Sequence, residues 1–401
     1  MKRDAMVDAN TLLTKARELA PAFMDEAAKN EQAGRLTDAT MARLRDAGMF
    51  TMMIPKSLGG AEVSPVQALE IIEALCYADA STGWVTMAAG VCTGMAAAYM
   101  GNAGAKDVFD GRIPIICGQG QANGRAVVEG NGYRLTGKWS YGSGVLHSDY
   151  LHSGAVIVEN GALRMRPGTN EPEMLTFIVP TREAKILGNW DVLGLRATGS
   201  VDYALDNVFV PADYTHLAES TDPMRGGSFY TIGIIGMTTI GHTGFAMGMG
   251  RRALDELAAF ARKRPAARGH LPALADTDSF HADFGDAEAK YRASRALVLE
   301  TWRDIEASLA RGEKMNTRQI TLLRLALNHI TTVVADICTF AYREAGGMSL
   351  RNTALQRCLR DMYAGTQHFL TRSHVLRECG RELAGLAQGQ EWSLLGLADP
   401  R

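Results

Sequence analysis

The chain has 401 residues, 21% of them charged, and a formal net charge of −2 at pH 7. That length exceeds one ordinary hydrophobic core, so we expect two or three packed subdomains. A nearly neutral chain without a long Lys/Arg run lacks the field that would recruit nucleic acid or an anionic membrane. Residues 1–20 alternate charged and apolar side chains, unlike a secretory signal or membrane anchor, which favours a cytoplasmic protein.

Helices are predicted from residue 9 to about residue 110. Apolar residues recur at spacings of three and four from Leu12 to Leu19, and Thr37 is a candidate N-cap for a second helix. Turns at Pro55 and Gly59-Gly60 interrupt the pattern. The stretch "SPVQALEIIEALCYADASTGWVTMAAG" then predicts a long apolar helix, a short break around residues 80–83, and another apolar helix.

The pattern changes to short runs rich in Val, Ile, Tyr and Thr between about residues 115 and 215, separated by glycines and polar turns. Such runs predict a compact β-domain. Asn131-Gly132 and Asn160-Gly161 are typical hairpin turns between strands.

A glycine-rich stretch in this region, "GNGYRLTGKWSYGSGVLH", carries Gly132, Gly137 and Lys138 at the spacing of a phosphate-binding P-loop. A P-loop needs Ser or Thr after the lysine and a helix that begins there. Here Trp139 follows, and the aromatic residues around it lie two or four apart, which favours a half-buried strand. We therefore reject a nucleoside triphosphate site.

Helical patterns return in four long blocks from about residue 227 to the end, which predicts a helical bundle. The whole chain is thus mainly α with a central β-domain. We predict an N-terminal helical domain over residues 1–114, a middle β-barrel-like domain over residues 115–222, and a C-terminal four-helix bundle over residues 223–401.

Six cysteines are scattered along the chain without a C-x-x-C pair or a Cys/His cluster. This spacing argues against a zinc site and against a disulfide framework. We expect reduced, mostly buried thiols at Cys76, Cys92, Cys117, Cys338, Cys358 and Cys379.

Three passages, in this order, resemble the acyl-CoA dehydrogenase fold of flavoproteins. "LRDAGMFTMMIPKSLGGAEVSPVQALEIIEALCYADAST" resembles its N-terminal helices, and "NWDVLGLRATGSVDYALDNVFVP" resembles its signature loop and exit strand. "GGMSLRNTALQRCLRDMYAGTQH" resembles its last bundle helices, with Arg360-Asp361 in the characteristic place. The similarity covers nearly the whole chain and implies a homotetramer.

The base of the true dehydrogenases has no counterpart here. Those enzymes commonly carry a catalytic glutamate in a Tyr-Glu-Gly-Thr sequence after the Arg-Asp pair, whereas this chain has no carboxylate between Asp361 and Glu378. Glu256 and Glu288 lie on an earlier part of the predicted bundle, but both sit in charged amphipathic patterns typical of solvated side chains. This absence argues against simple dehydrogenation. A flavoenzyme that oxidises or oxygenates a CoA thioester is kept as the alternative function.

The segments around His368, Trp84 and Ser143 instead resemble the group D two-component flavin-dependent monooxygenases, which include hydroxyphenylacetate hydroxylase oxygenase components. "ADASTGWV" ends at Trp84-Val85, and "GKWSYGSG" carries that group's W-x-x-x-S-G motif through Trp139 and Ser143. The resemblance implies that Trp84 and Trp139 contact the flavin and that Ser143 lies beside flavin N5. It makes His368 the candidate catalytic base.

The chemistry that this resemblance implies begins with reduced flavin, FMN or FAD, supplied by a separate flavin reductase. Molecular oxygen adds at flavin C4a, and the hydroperoxide hydroxylates a small aromatic or polycyclic substrate. A small hydroxyl at N5 and a dry pocket would prevent loss of hydrogen peroxide, and the glycines beside Ser143 would allow close approach to the ring. A histidine is the side chain most naturally poised as a base near neutral pH.

Further site residues follow from the same resemblance. In the signature loop, Thr198 and Ser200 are candidate flavin contacts and Arg196 is a candidate substrate contact, as is His147 after the glycine-rich stretch. The dehydrogenases carry an Arg-x-x-Phe motif that contacts a neighbouring subunit's FAD; here Arg264 is the candidate, but Phe-Gly is missing. That departure leaves FMN and FAD open. A helical scaffold that has lost its flavin is a third hypothesis, and it predicts no flavin binding.

Overall fold

The computed structural model of the chain describes residues 8–263, 272–394 and 396–399. Within them, ten α-helices are α1 (Ala9–Ala33), α2 (Asp38–Asp46), α3 (Pro65–Ala78), α4 (Ala80–Tyr99), α5 (Asn102–Val108), α6 (Gly233–Lys263), α7 (Asp278–Ala310), α8 (Thr317–Glu344), α9 (Ala354–Gly365) and α10 (Ser373–Leu383). The strands are β1 (Ile116–Glu129), β2 (Gly132–Trp139), β3 (Tyr150–Glu159), β4 (Ala162–Leu163), β5 (Met174–Pro180), β6 (Lys185–Ile186), β7 (Tyr203–Pro211), β8 (Thr215–Leu217), β9 (Glu391–Trp392) and β10 (Leu397–Ala398). The order of helices, strands and helices agrees with the sequence prediction.

The N-terminal helices begin at residues whose side chains accept backbone hydrogen bonds. Thr37 caps α2 as predicted, and Ser64 forms a capping box with Gln67 at the start of α3. Asp79 is extended and its carboxylate accepts from the backbone of Thr82, so α4 begins directly after it. The predicted break at residues 80–83 is therefore wrong, because the cap moves the break to a single residue and those positions form the first turn of α4.

One eight-stranded sheet forms the β-domain, in the order β6-β7-β2-β1-β3-β5-β8, with β4 paired to β3. β1 and β3 are parallel, and the other pairings in this sheet are antiparallel. Asn160 and Gly161 both have positive φ at the β3–β4 turn, as the sequence predicted. The β1–β2 turn lies at residues 130–131, one residue earlier than predicted, because Glu129 pairs with Gly132.

The glycine-rich stretch forms strand β2 from Gly132 to Trp139, followed by a loop. The strand continues through Trp139 and no helix begins directly after Lys138, so the structure agrees with the rejection of a P-loop. All six cysteines are free and buried, as expected.

The C-terminal part contains three long helices, α6, α7 and α8, but the fourth predicted long helix is divided into α9 and α10. A one-turn 3₁₀ helix at Phe369–Thr371 lies between them. Gly365 packs so closely on Phe245 that a Cβ would lie 2.4 Å from the Phe245 ring, and the hydroxyl of Thr371 donates to the carbonyls of Thr366 and His368. Side-chain capping and tight packing end α9 here, and His368 lies in the break.

Helix α8 is long and apolar enough to cross a membrane by length and composition, and 61% of its apolar window is buried. This burial is typical of a core helix. Its partners in the bundle include α6, α7 and α9.

Candidate active site

A chain of hydrogen-bonded side chains joins helix α4 to two loops of the β-domain. The indole Nε1 of Trp84 donates to Ser143 Oγ at 3.1 Å. Ser143 Oγ lies 2.7 Å from Ser200 Oγ, which lies 2.6 Å from Thr198 Oγ1. The chain ends at the backbone carbonyl of Leu195, which accepts from the Thr198 hydroxyl at 2.8 Å. Four predicted residues, from three separate stretches of sequence, are thus joined in one chain.

Backbone contacts hold the two loops in register. The amide of Gly144 donates to the carbonyl of Thr198 at 3.0 Å, and the amide of Gly142 donates to the carbonyl of Val201 at 3.1 Å. Thr198 and Ser200 are buried, with 1% and 4% of their surface exposed, whereas Ser143 is half-buried. Ser143 is therefore the accessible end of a hydroxyl chain that is otherwise closed to water.

Two histidines lie against each other on the helical side of Trp84. The ring centroids of His242 on α6 and His368 are 4.0 Å apart. The Trp84 ring centroid lies 5.2 Å from that of His242, 5.0 Å from that of Phe245 and 6.5 Å from that of His368. Trp84 therefore connects the hydroxyl chain to the histidine pair across the boundary between the β-domain and the bundle.

Both histidines are uncharged at neutral pH. Burial lowers the pKa of His242 to about 4, and burial together with His242 holds the pKa of His368 well below its ordinary value. Part of the His368 surface remains accessible, but the protein still displaces most of its hydration. The expectation of a base poised near neutral pH is therefore corrected: the lowered pKa leaves His368 uncharged at neutral pH and makes it a weaker base than a solvated histidine.

Hydrogen bonds assign the tautomer of His242. Its Nδ1 lies 2.8 Å from the carbonyl of Thr238, which can only accept, so Nδ1 carries the proton. Its Nε2 is then an acceptor, and this buried atom has no partner. Nδ1 of His368 accepts from the amide of Leu370 at 3.5 Å, a long contact that places the ring proton on Nε2.

Asp361 fixes the signature loop from the side of helix α9. Its carboxylate accepts from the amide of Leu195 at 2.6 Å, and Leu195 has a φ of 52°, a conformation that is rare for a leucine. Gly194 packs on the backbone of Arg360, where a Cβ would lie 2.0 Å from the carbonyl oxygen. Burial raises the pKa of Asp361 to about 7. The Arg-Asp pair therefore positions the loop that carries Thr198 and Ser200.

Trp139 does not join this site. Its side chain is fully buried in the sheet domain, where Nε1 donates to the carbonyl of Gly154 at 2.9 Å and the ring stacks on Tyr203. Its predicted flavin contact gains no support from this position. The glycines beside Ser143 also serve protein packing, because a Cβ on Gly142 would meet Val145 at 2.7 Å and one on Gly144 would meet Cys117 at 2.9 Å.

The two predicted substrate contacts lie elsewhere on the β-domain loops. His147 ends a one-turn 3₁₀ helix, and burial together with Arg35 and Arg45 lowers its pKa to about 4. It thus faces the corner between α1 and α2. The side chain of Arg196 is exposed. Arg264 lies outside the described residues.

The alternative carboxylate bases are engaged in ion pairs. Glu256 pairs with Arg252 at 2.8 Å, and Glu288 pairs with Arg251 at 2.7 Å. Arg251 lowers the pKa of Glu288. Both carboxylates are thus engaged by arginines on the bundle, and neither is a free base beside the histidine pair.

His242 is the site residue that the sequence did not reveal. It lies in "GIIGMTTIGHTGFAMGMG", an apolar, glycine-rich run that is typical of a core helix. The available signal was a single polar ring in that run, three residues before Phe245. Its meeting with His368 depends on the packing of α6 against the break after α9, which a single sequence does not specify.

These groups fit a flat heteroaromatic cofactor. Ser143 offers a hydroxyl, Trp84 an aromatic ring, and His242 an orphaned buried acceptor at Nε2. Flavin presents a planar ring with hydrogen-bonding nitrogens along its edge, and flavin is the cofactor that the sequence predicted.

Comparison with known proteins identifies the same class. The chain is 28% identical over 326 residues to an indole-3-acetate monooxygenase of Pseudomonas putida, which covers 80% of each chain. It is 32% identical over 206 residues to the flavin-dependent monooxygenase oxygenase subunit HsaA of Mycobacterium tuberculosis, across 51% of this chain and 50% of that protein. The crystal structure of the M. tuberculosis HsaA monooxygenase matches with a TM-score of 0.86 and 25% identity, over 94% of this chain and 98% of that one.

Two family models also match, and together they cover more than half of the chain. The acyl-CoA dehydrogenase N-terminal domain matches residues 8–109, and the acyl-CoA dehydrogenase C-terminal domain matches residues 240–373. The chain therefore belongs to the acyl-CoA dehydrogenase family of flavoproteins.

Proposed function

We propose that this protein is the oxygenase component of a two-component flavin-dependent monooxygenase. It takes reduced flavin from a separate reductase and uses molecular oxygen to hydroxylate a small aromatic or polycyclic substrate. The observation that carries this proposal is the contact of Trp84 with both the Ser143 hydroxyl chain and the His242–His368 pair. The names of its relatives, an indole-3-acetate monooxygenase and an oxygenase subunit, support the same function.

The reduced flavin, when bound, activates molecular oxygen and transfers one of its atoms to the substrate. The side chains of the chain supply the surroundings for that chemistry. Ser143 would hold the flavin edge by a hydrogen bond, and the buried Thr198 and Ser200 exclude water behind it. His368 would accept the proton of an acidic group on the substrate at Nδ1, which carries no proton in the neutral ring and is engaged only by the long 3.5 Å contact with the amide of Leu370.

The aromatic character of the helical side favours an uncharged, flat substrate. Phe245 and the rings of Trp84, His242 and His368 form this side, and neither histidine carries a charge at neutral pH. Phenols and indoles match this lining in aromatic character and polarity. A small residue, Ala364, stands where the dehydrogenases carry glutamate, and this argues against removal of a thioester α-proton.

The finer features of the assembly belong to the same proposal. We propose a cytoplasmic homotetramer, by analogy with the family, and leave FMN and FAD as the two flavins to compare. Among the predicted contacts, Trp84, Ser143, Thr198 and Ser200 are the flavin-side residues, and His368 is the catalytic base.

Anaerobic titration followed by oxygen exposure tests the function. The purified protein is mixed with reduced FMN or reduced FAD, then with oxygenated buffer and a panel of phenols and indoles. We expect tight binding of one reduced flavin and conversion of at least one aromatic substrate. Reoxidation to hydrogen peroxide alone, together with bleaching of bound oxidised FAD by an acyl-CoA, would replace this proposal with the thioester alternative.

A further inference from the structure

We propose that Thr198 and Ser200 are positioning residues that fix the direction of the Ser143 hydroxyl, so that the site selects reduced over oxidised flavin. The inference rests on the proposed function, because it concerns the flavin that this function requires. It assigns to two buried residues a task that contact with the flavin does not itself imply.

The direction of each proton in the series of hydrogen-bonded hydroxyls follows from the group at which the series ends, the carbonyl of Leu195. The carbonyl of Leu195 can only accept, so the single hydroxyl proton of Thr198 points to it, at 2.8 Å. Thr198 Oγ1 must then accept from Ser200, at 2.6 Å. Since the Ser200 proton is used in that bond, Ser200 Oγ accepts from Ser143, at 2.7 Å.

The Ser143 proton is consequently committed to the protein interior. The indole N–H of Trp84 can only donate, and it occupies one lone pair of Ser143 Oγ. The lone pair that remains is the hydrogen-bonding capacity that Ser143 offers to a ligand. Ser143 is thus presented as an acceptor.

The end of the chain is held firmly enough to keep this order. The Leu195 carbonyl also accepts from the indole N–H of Trp190 at 3.3 Å, and the Leu195 amide is bound by Asp361. Thr198 and Ser200 are 1% and 4% exposed, so bulk water does not compete for their protons. Reversing the order would remove the shorter of the two bonds to the buried Leu195 carbonyl, at 2.8 Å, and leave it only the longer bond from Trp190.

The redox state of flavin decides whether N5 can form a hydrogen bond with an acceptor. Reduced flavin carries an N–H at N5, which would donate to Ser143, the residue that the family resemblance places beside N5. Oxidised flavin has a bare nitrogen with a lone pair there, so two acceptors face each other. Oxidised flavin thus loses one neutral hydrogen bond and gains two acceptors that face each other. This difference corresponds to an affinity that is about 10-fold to 100-fold lower than that of reduced flavin.

Two variants release the Ser143 proton in different ways. Ser200→Ala removes the acceptor that holds it, and Thr198→Val removes the acceptor that holds the Ser200 proton while preserving side-chain shape. In both, the Ser143 hydroxyl becomes free to donate to oxidised N5. Thr198→Ser keeps the hydroxyl and is the conservative variant. Thr181→Val is the matched control, because it breaks another Ser–Thr hydroxyl pair, with Ser148 at 2.9 Å.

The test is anaerobic titration of each protein with oxidised FMN and with dithionite-reduced FMN, and with the two states of FAD. For the unmodified protein we expect the dissociation constant of the oxidised form to exceed that of the reduced form. We expect Ser200→Ala and Thr198→Val to lower the ratio of the two dissociation constants, oxidised over reduced, about 10-fold. Thr198→Ser and Thr181→Val should retain this ratio. If Thr198→Val does not fold, Ser200→Ala carries the comparison.

The outcomes separate this inference from the proposed function. A ratio that is unchanged in a folded Ser200→Ala protein overturns the proton order, and hydroxylation of an aromatic substrate by the unmodified protein then leaves the function standing. A ratio in the unmodified protein that favours oxidised flavin also overturns it. If the unmodified protein binds neither flavin in either redox state, both proposals fail.

Discussion

Asp361→Asn tests how helix α9 holds the loop that forms the flavin side of the site. The amide has nearly the shape of the carboxyl, and its Oδ1 can still accept from the amide of Leu195. The change therefore keeps the hydrogen bond and removes a buried ionisable group. The charged groups that influence this carboxyl are Arg360, Asp79 and Glu31.

The magnitude follows from the pKa of Asp361, which burial raises from an ordinary 3.8 to about 7. The folded protein holds this proton more tightly than the unfolded chain, so ionisation of the carboxyl disfavours folding. The cost is absent below about pH 4, grows as the pH rises, and is constant above about pH 7. At about 1.4 kcal/mol for each pKa unit, the cost is about 2 kcal/mol at pH 5.5 and about 4 kcal/mol at pH 8.

We therefore expect the stability of Asp361→Asn, relative to the unmodified protein, to increase by about 2 kcal/mol between pH 5.5 and pH 8. The free energy of unfolding is measured by urea denaturation at both pH values, with tryptophan fluorescence as the signal. A constant offset from the amide cancels in this comparison. Asp110→Asn, at an exposed carboxyl, is the control. A stability difference that stays constant between the two pH values would mean that Asp361 is already ionised in the folded protein at pH 5.5, and would refute the raised pKa.

Three further changes test the site directly. His368→Asn is expected to lower the rate of product formation about 10²-fold to 10⁴-fold, because it removes the proton acceptor. Oxygen electrode and product assays should show hydrogen peroxide in place of product. An unchanged rate would remove His368 from the mechanism. Trp84→Phe keeps the aromatic ring but removes the N–H that binds Ser143. We expect this variant to bind reduced flavin more weakly in an anaerobic titration. Unaltered affinity would contradict a role of the Trp84–Ser143 hydrogen bond in flavin binding. Gly194→Ala should lower the thermal unfolding midpoint, since its Cβ would lie 2.0 Å from the Arg360 carbonyl. Gly347→Ala is the control, because the space around Gly347 is open. Equal midpoints for the two variants would refute the packing argument.

The sequence indicated the residues of the hydroxyl chain because they belong to local motifs, and their roles towards a flavin stay predictions. Trp84 follows the cap of α4, Ser143 lies in the W-x-x-x-S-G stretch, and Thr198 and Ser200 share one loop. Each motif requires a particular local backbone, so each can be recognised by itself. The structure adds that their hydroxyls and the indole form one continuous chain of hydrogen bonds.

The helical side was less predictable because it depends on packing between distant segments. His242 has no local motif, and the uncharged state of His368 follows from burial that a sequence does not display. Trp139 shares the motif of Ser143, yet strand alternation turns its side chain into the sheet domain. The break that places His368 also interrupts an amphipathic pattern that continues through residues 355–385.

Incorporation of isotopic oxygen is the most direct test of the central claim. The protein is supplied with enzymatically reduced flavin, an aromatic substrate accepted in the panel, and ¹⁸O₂ in unlabelled water, and the product is analysed by mass spectrometry. The account predicts one ¹⁸O atom in each hydroxylated product. Product that carries oxygen from water, or oxidation of an acyl-CoA without oxygen incorporation, would contradict a monooxygenase.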